Sequence, residues 1–238
     1  MDIRLKRYRK DFQYSYSNGV YATIELLKYR PENALKVLLS SSGSDNRGII
    51  KIEELCARYN IPFEVNDKAI NRISSDGKHL AVGVFYKYGT RVDSEKDHVM
   101  LVNPGDMGNL GTIARAMLGF GVSDLALIRP AVDIFDPKAI RASMGSLFGL
   151  SVEYFDSFEN YRSKYGHTLY LFMTGGSRRI DQIKVTRPFT LVFGNESSGL
   201  PREFETFGTK VTIPHDKAID SLNISIAAGI ALYEFNKG

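Results

Sequence analysis

The feature that most limits how this chain can fold is the alternation of short apolar runs with helix-patterned segments through its second part. Residues 98–102, 125–128, 152–155, 168–173 and 190–193 are apolar runs of strand length, bounded by turn residues. Helical periodicity fills intervals between them, at 110–119, 137–143 and 158–165. Strands joined through helices become neighbours in a parallel sheet, so the pattern predicts an α/β fold. Gly119 and Gly121 close the first helix, Pro137 opens the second, and Pro201 stands where a further helix starts. Three strand ends run into special turns: Met173-Thr174-Gly175-Gly176, Phe193-Gly194-Asn195 and Ile213-Pro214. Open α/β sheets bind ligands at such ends, where glycine lets the backbone come close to a flat molecule. Pro214 stops the strand at 210–213, having no N–H for a ladder. Asp220 or Ser221 is the expected cap of a last helix that carries Leu222, Ile226, Gly229, Ile230 and Tyr233 on one stripe.

The first part reads as a smaller α/β unit. Helices are expected at 20–29, 50–59 and 67–74, and strands at 35–39, 62–65 and 81–86, with a turn-rich loop at 40–48. The alternation favours a three-layer sandwich. Residues 1–16 are dense in Arg, Lys and Tyr, which suggests a mobile arm or an exposed first helix whose basic and aromatic mix suits RNA. A polar linker at 88–97 separates two expected domains, 1–92 and 97–238. Charge divides along the same line. Residues 1–92 carry 16 Lys and Arg against 10 Asp and Glu, a net +6, while residues 93–238 carry 15 against 17, a net −2. Attraction for phosphate therefore belongs to the first part.

Several function classes lose their signature. No G-x-G-x-x-G and no Gly-Lys-Ser/Thr loop occurs, which removes the ordinary dinucleotide and ATP readings. Ser143, Ser197 and Ser198 sit in no G-x-S-x-G elbow, which removes a serine hydrolase. His79, His98, His167 and His215 are scattered and no Cys pair exists, so no metal site is expected, and His215 reads as a loop residue. The single Cys56 falls on a helical stripe with Ile52 and Leu55 and reads as a buried thiol in a reducing compartment. No apolar run is long enough to cross a bilayer, and residues 1–10 lack a signal-peptide core. The expected location is the cytoplasm.

Three segments together resemble the motif set of the SpoU (TrmH-like) branch of the SPOUT RNA 2′-O-ribose methyltransferases. Asn109-Leu110-Gly111 with Arg115 matches the first motif. Gly194, Asn195, Glu196 and Gly199-Leu200 match the second, and Ile213-Pro214 with Ser221-Leu222-Asn223 the third. They occur in the family's order, and Arg141-Ala142-Ser143-Met144-Gly145 between them is also like the family. Asp106-Met107-Gly108 departs from the more usual Asp-Pro before the asparagine. The likeness covers residues 97–236. It implies a parallel α/β sheet whose C-terminal segment threads a deep trefoil knot, and a homodimer with its site near the subunit interface. The diffuse likeness of the first part to kink-turn-binding ribosomal proteins implies an RNA-binding domain and favours ribosomal over transfer RNA.

The implied cofactor is S-adenosyl-L-methionine, gripped around Thr174, Gly175, Gly194, Asn195, Ile213 and Leu222. The implied reaction is methyl transfer to a ribose 2′-hydroxyl, with Arg115, Asn109, Glu196, Ser221 and Asn223 as catalytic candidates and no metal. Gly194→Val is expected to weaken cofactor binding in a folded protein. Arg115 has two open roles, proton acceptor or phosphate clamp, since a guanidinium is a poor base. Glu196 either orients the hydroxyl network or accepts from backbone N–H groups, and Ser221 either meets ribose or caps the last helix. A transfer-RNA methyltransferase and a non-catalytic RNA-binding protein of the same fold remain the alternatives.

Overall fold

The computed structural model describes residues 5–43, 45–74 and 79–237. The first four residues of the expected arm, residue 44 of the 40–48 loop, residues 75–78 and residue 238 lie outside them. The chain divides into two units. One comprises residues up to Tyr88 together with Asp133–Gly149, the other Gly89–Val132 and Leu150 onward.

The first unit is built on a four-stranded sheet. Its elements are β1 (Tyr14–Asn18), α1 (Val20–Tyr29), β2 (Ala34–Leu39), α2 (Arg47–Tyr59), β3 (Phe63–Val65), α3 (Asp67–Ile73) and β4 (Ala81–Tyr86). The strand order is β1-β4-β2-β3. One face packs Val37, Leu39 and Ala81 against Leu27 of α1 and Ile52, Leu55 and Cys56 of α2. The other packs Leu38, Val82 and Val84 against Ile70 and Ile73 of α3. Asn46 accepts from the Gly48 N–H, so α2 starts at Arg47, earlier than the apolar stripe suggests. The described part of the expected arm, from residue 5, is neither a free tail nor a helix. Leu5 is buried beside Tyr16, the Tyr16 hydroxyl donates to the Lys6 carbonyl, and Lys87 Nζ donates to the Lys10 carbonyl at 2.8 Å. Leu5 and Tyr8 pack on the sheet's cluster, Phe12 stacks on Tyr14, and the Tyr8 hydroxyl donates to Asp133, so apolar and aromatic side chains hold a strongly charged segment.

The second unit holds a seven-stranded sheet. It begins with β5 (His98–Val102), α4 (Met107–Gly119) and β6 (Asp124–Ile128). The chain then gives α5 (Pro137–Ala142) to the first unit. It continues with β7 (Ser151–Phe155), α6 (Phe158–Arg162), β8 (Thr168–Phe172), β9 (Arg178–Arg179), β10 (Phe189–Phe193), β11 (Thr209–Thr212) and α7 (Ile224–Asn236). The order is β7-β6-β5-β10-β8-β11-β9 and every pairing is parallel. β5, β6 and β10 are buried at every position, which explains why each is apolar but for one residue near its start, His98, Asp124 and Thr190.

Four expectations need correction. Residues 133–149 do not belong to a continuous domain at 97–238, because Ile140 and Phe148 pack on Ala22, Leu26 and Phe85. The Phe85 and Phe148 rings meet edge to face at 5.1 Å. A Cβ on Gly145 would stand 2.9 Å from the Ala22 Cα, so only glycine allows this approach. Local polarity at 88–97 could not reveal an insertion held by distant apolar contacts. α4 starts at Met107 rather than 110, because Asp106 accepts from the Asn109 N–H, which puts Asn109 in the first turn. α7 is capped by Asn223 and not by Asp220 or Ser221, which leaves Leu222 in the preceding loop. Pro201 precedes a short 3-10 turn, Arg202–Thr206, rather than an α-helix. On α7 the buried positions are Ala228, Ala231, Leu232 and Phe235, and the stripe Ile226, Ile230, Tyr233 is 55%, 36% and 57% exposed.

A buried polar chain sits at the start of the central strands. His98 Nε2 faces the Asp93 carbonyl at 2.8 Å and His167 Nε2 faces the Ser94 carbonyl at 2.9 Å. Carbonyls only accept, so each Nε2 carries a hydrogen. Between the two Nδ1 atoms run the Tyr161 and Thr190 hydroxyls, with contacts of 2.8, 2.6 and 3.0 Å. Burial, and then the neighbouring His167, push the His98 pKa down to about 4, against the bond to the Asp93 carbonyl. A folded-state value below the ordinary 6.5 means that neutral His98 stabilises the fold above pH 6.5 and that this is lost as pH falls towards 4. The loss amounts to at most about 3 kcal/mol. Urea unfolding measured from pH 7.5 to 4.5 should show it, with a shallower slope in His98→Gln, whose amide can serve both neighbours at either pH.

Candidate active site at the strand ends

Parallel pairing gathers the site. Phe193 of β10 stands opposite Leu101 of β5 and Phe172 of β8, and Phe172 stands opposite Val211 of β11. Four strands therefore end side by side, and the loops that follow them open from one edge of the sheet. This edge is also where the strand order reverses, the usual position of a ligand crevice in such sheets. A cavity of about 580 Å³ lies there, lined by residues 172–174, 193–196, 198–200, 211–213 and 220–224 with His215 and Ala227. Its size is that of a pocket for a small organic ligand. The Phe172 and Phe193 rings stack at 4.6 Å to form part of its apolar wall.

Of the residues singled out from the sequence, Thr174, Gly194, Asn195, Glu196, Ile213, Ser221, Leu222 and Asn223 line this cavity. Gly175 does not, although it follows Thr174 directly and its φ of 77° is one that glycine adopts freely. Asn109 lies just outside, reached by a hydrogen bond from Asn223 Nδ2 to Asn109 Oδ1 at 3.1 Å. The first turns of α4 and α7 are thereby joined. Arg115 is exposed, on the side of α4 that also carries Gly108, Thr112 and Gly119, and it is absent from the cavity wall. Six residues of helix advance about 9 Å and turn about 240°, so Asn109 and Arg115 do not share a face.

The loops are tied to each other by side chains. Glu196 accepts from the backbone N–H groups of Gly105 and Asp106, each at 3.2 Å. Asn195 Nδ2 donates to the Asn103 carbonyl at 2.7 Å, and its Oδ1 accepts from both the N–H and the hydroxyl of Ser197. The Asn195 and Gly199 backbones exchange two bonds that close the turn. Of the two roles open for Glu196, the geometry favours the acceptor of backbone N–H groups. Gly194 also needs correction. A Cβ there would lie 2.0 Å from the Gly199 carbonyl carbon and 2.2 Å from the Leu200 nitrogen. The absent side chain makes room for the turn itself, so Gly194→Val would displace 199–200 and cannot be a clean probe of ligand binding.

Ser221 lines the cavity and makes none of the bonds that cap α7, which Asn223 supplies to the N–H and hydroxyl of Ser225. Ser143 is buried and its hydroxyl donates to the Ile140 carbonyl, which gives it a structural place. His215 is exposed in its loop with Nδ1 bonded to the Ile213 carbonyl. Sequence reading missed Asn103. It holds a φ of 53° and donates through Nδ2 to the Arg129 carbonyl at 2.6 Å. The available signal was an asparagine at a strand end before Pro104-Gly105, a residue type that tolerates left-handed backbone. Among the described residues no cluster of three or more His, Cys, Asp or Glu could hold a metal ion, and no helix is long and apolar enough to cross a membrane.

Removing the Glu196 carboxylate should free the 103–106 loop. Glu196→Ala should raise amide hydrogen exchange at Gly105 and Asp106 by roughly tenfold or more, as expected for losing a charge-assisted bond. Exchange in β5 and β10 should stay unchanged. Equal exchange in the variant and the parent would show that the tether does not hold the loop.

The sequence profile of the SpoU rRNA Methylase family matches residues 96–233. A tRNA/rRNA methyltransferase of uncharacterised function from Synechocystis is 29% identical over 74% of this chain and 66% of its own length. The 23S rRNA (uridine(2479)-2′-O)-methyltransferase of Streptomyces viridochromogenes is 34% identical over 57% of this chain and 50% of its own length. The chain thus spans between half and two thirds of the length of these curated relatives. An AdoMet-bound rRNA methyltransferase from Sinorhizobium meliloti superposes with a TM-score of 0.76 at 25% identity, covering 94% of this chain and 87% of that one. The SpoU methyltransferase AviRb from Streptomyces viridochromogenes, in complex with AdoMet, has the same fold, with a TM-score of 0.78 at 23% identity over 94% and 90% of the two chains.

Proposed function

The chain belongs to the SpoU rRNA Methylase family, and from that premise we propose that it transfers a methyl group from S-adenosyl-L-methionine to a ribose 2′-hydroxyl of RNA, with ribosomal RNA as the substrate. The observation that carries this reading is the convergence of the second and third family motifs on one cavity at the strand ends, with Asn109 of the first motif bonded to its rim. The backbone-rich turns at 194–200 and 211–213 and the stacked pair Phe172–Phe193 suit a ligand with a flat base and several polar groups. Thr174, Gly194, Asn195, Ile213 and Leu222 would hold the cofactor, with Gly175 shaping the turn beside them. When bound, this cofactor supplies an electrophilic methyl group, which needs an aligned nucleophile and no metal.

The residues of this chain supply alignment. Glu196 and Asn195 fix the loop that leads into α4, and Asn223 fixes Asn109 against the start of α7. The paired helix starts offer N–H groups to a phosphate beside the target ribose. Arg115 acts as a clamp on that phosphate, because its planar fork suits phosphate and its proton is hard to remove. Ser221, free of capping duty, meets the ribose or its phosphate. We infer a homodimer as well. The stripe of Ile226, Ile230 and Tyr233 is exposed beside Phe120, with the Tyr233 and Phe120 rings 6.3 Å apart, and a second copy would cover this apolar surface. The first unit is the RNA-binding domain, the protein works in the cytoplasm, and the C-terminal segment forms the trefoil knot of the family.

Calorimetric titration with S-adenosyl-L-methionine and with ATP separates this reading from a nucleotide-dependent enzyme, which would take up ATP and ignore the sulfonium. Arg115→Ala should abolish methylation of ribosomal RNA while cofactor affinity survives. Arg115→Lys should be nearly as impaired, with little rescue at alkaline pH, since geometry rather than basicity is lost. Strong alkaline recovery would assign Arg115 as the base, and near parental turnover of the Ala variant would remove it from the reaction. Sedimentation should give a dimer for the parent protein and a monomer for Ile230→Glu; a parent monomer would remove the second subunit from the proposal.

A further inference from the structure

The α3 face of the first sheet ends in an aromatic row that the core does not consume. Tyr14 of β1 and Tyr86 of β4 are register partners, so both side chains belong to one face. The same face carries Tyr16, Val82 and Val84 further along. Phe12 stacks on Tyr14 at 5.1 Å with the rings 22° apart, and Tyr14 meets Tyr16 edge to face at 5.7 Å. Phe12 and Tyr14 are half-buried and Tyr86 is 44% exposed. A continuous aromatic surface therefore reaches solvent at this end of the sheet.

The segment leading into β1 adds charge beside it. Lys6, Arg7, Arg9 and Lys10 are exposed, with Asp11 as the single acid among residues 5–13. Arg9 pairs with Asp11, while Lys6, Arg7 and Lys10 make no ion pair among the described residues. The segment is held rather than free. Leu5 is buried, the Tyr16 hydroxyl binds the Lys6 carbonyl, and Lys87 binds the Lys10 carbonyl. These anchors use an apolar side chain and backbone oxygens, which leaves the cationic ends of Lys6, Arg7 and Lys10 available. The exposed Tyr21 and Ile50 on the helical face of the unit have no comparable basic run beside them in sequence.

We propose that this face, with Tyr86, Tyr14 and Phe12 as a stacking platform and Lys6, Arg7 and Lys10 as phosphate contacts, binds a single-stranded segment of RNA. Aromatic faces accept any unpaired base, and fixed cations track the backbone beside it. A duplex keeps its bases stacked inside and cannot use the platform. The inference rests on the reading of the chain as an RNA-modifying protein and adds which surface holds the RNA and in what form.

The test uses the full chain, a labelled single-stranded oligoribonucleotide of mixed sequence and a duplex of equal length. Tyr86→Ala should weaken single-strand binding by about tenfold, as for the loss of one base stack, and leave duplex binding within about twofold. Tyr86→Phe keeps the ring and should bind like the parent, which separates stacking from a disturbed sheet. The double variant Arg7→Glu, Lys10→Glu should weaken single-strand binding and flatten its salt dependence, since fewer counterions are released. Single-strand affinity unchanged in Tyr86→Ala, or an equal loss for single strand and duplex, overturns the proposal. If the parent binds structured ribosomal RNA in these cases, the functional reading stands without this surface. If it binds no RNA of any kind, the functional reading fails first.

Discussion

The site depends on the parallel pairing that sets β10 between β5 and β8. Each of these strands is short, yet their ends coincide because the ladders are in register through Phe193, Leu101 and Phe172. A slip by one residue would turn the side chains of β10 to opposite faces and separate the loops that line the cavity. Every residue of β10 is buried, so both faces of the sheet oppose such a slip. The register is thus fixed by apolar packing, and the polar residues of the loops inherit their positions from it. This explains how segments 90 to 92 residues apart in sequence can be joined by hydrogen bonds between a side chain and backbone.

Packing of the strands places the loops only coarsely. The finer placement comes from Asn195 and Glu196, which spend their side chains on backbone groups of the neighbouring loop. Gly194 belongs to the same device, since its missing Cβ lets the turn fold back onto Gly199 and Leu200. Three consecutive residues of the second motif therefore maintain shape. Their presence in a pattern shared with methyltransferases reflects the geometry needed around a ligand as much as contact with it. A substitution in this run changes the cavity by moving its walls, so its effect on binding cannot be read as one lost contact.

Much of this architecture was legible. Apolar runs marked most strands of the second unit, because a strand covered on both faces leaves few polar letters in the sequence. The cavity was legible from glycines and a proline at strand ends, combined with motif order. What escaped depended on choices between neighbouring residues or on distant contacts. Asp220, Ser221 and Asn223 all have capping side chains, and only the turn of the preceding loop selects Asn223. Asp106 likewise extends α4 beyond its apolar stripe. The docked segment at 5–13 has a sequence dominated by charge, and Leu5, Tyr8 and Phe12 with the bonds to its backbone decide its place. The insertion of 133–149 into the first unit was invisible because Ile140 and Phe148 look like any other core residues until their partners are known.

The position of Arg115 carries the last step. Sequence spacing put it beside Asn109 in one motif, and helix geometry then turns it away by about a third of a circle. Within one chain the second and third motifs meet at the cavity, the first reaches it through Asn109, and Arg115 stands on the exposed side of the helix. A motif conserves separation along the chain, but it does not state which copy of the chain each residue serves. Ile226, Ile230 and Tyr233 of α7 and Phe120 are exposed apolar groups that water solvates poorly. An exposed arginine gains strength when it is covered, since its attraction for phosphate grows as water is excluded. Within the single chain, then, the cavity gathers two motifs and part of the first, and Arg115 serves whatever reaches the exposed side of α4.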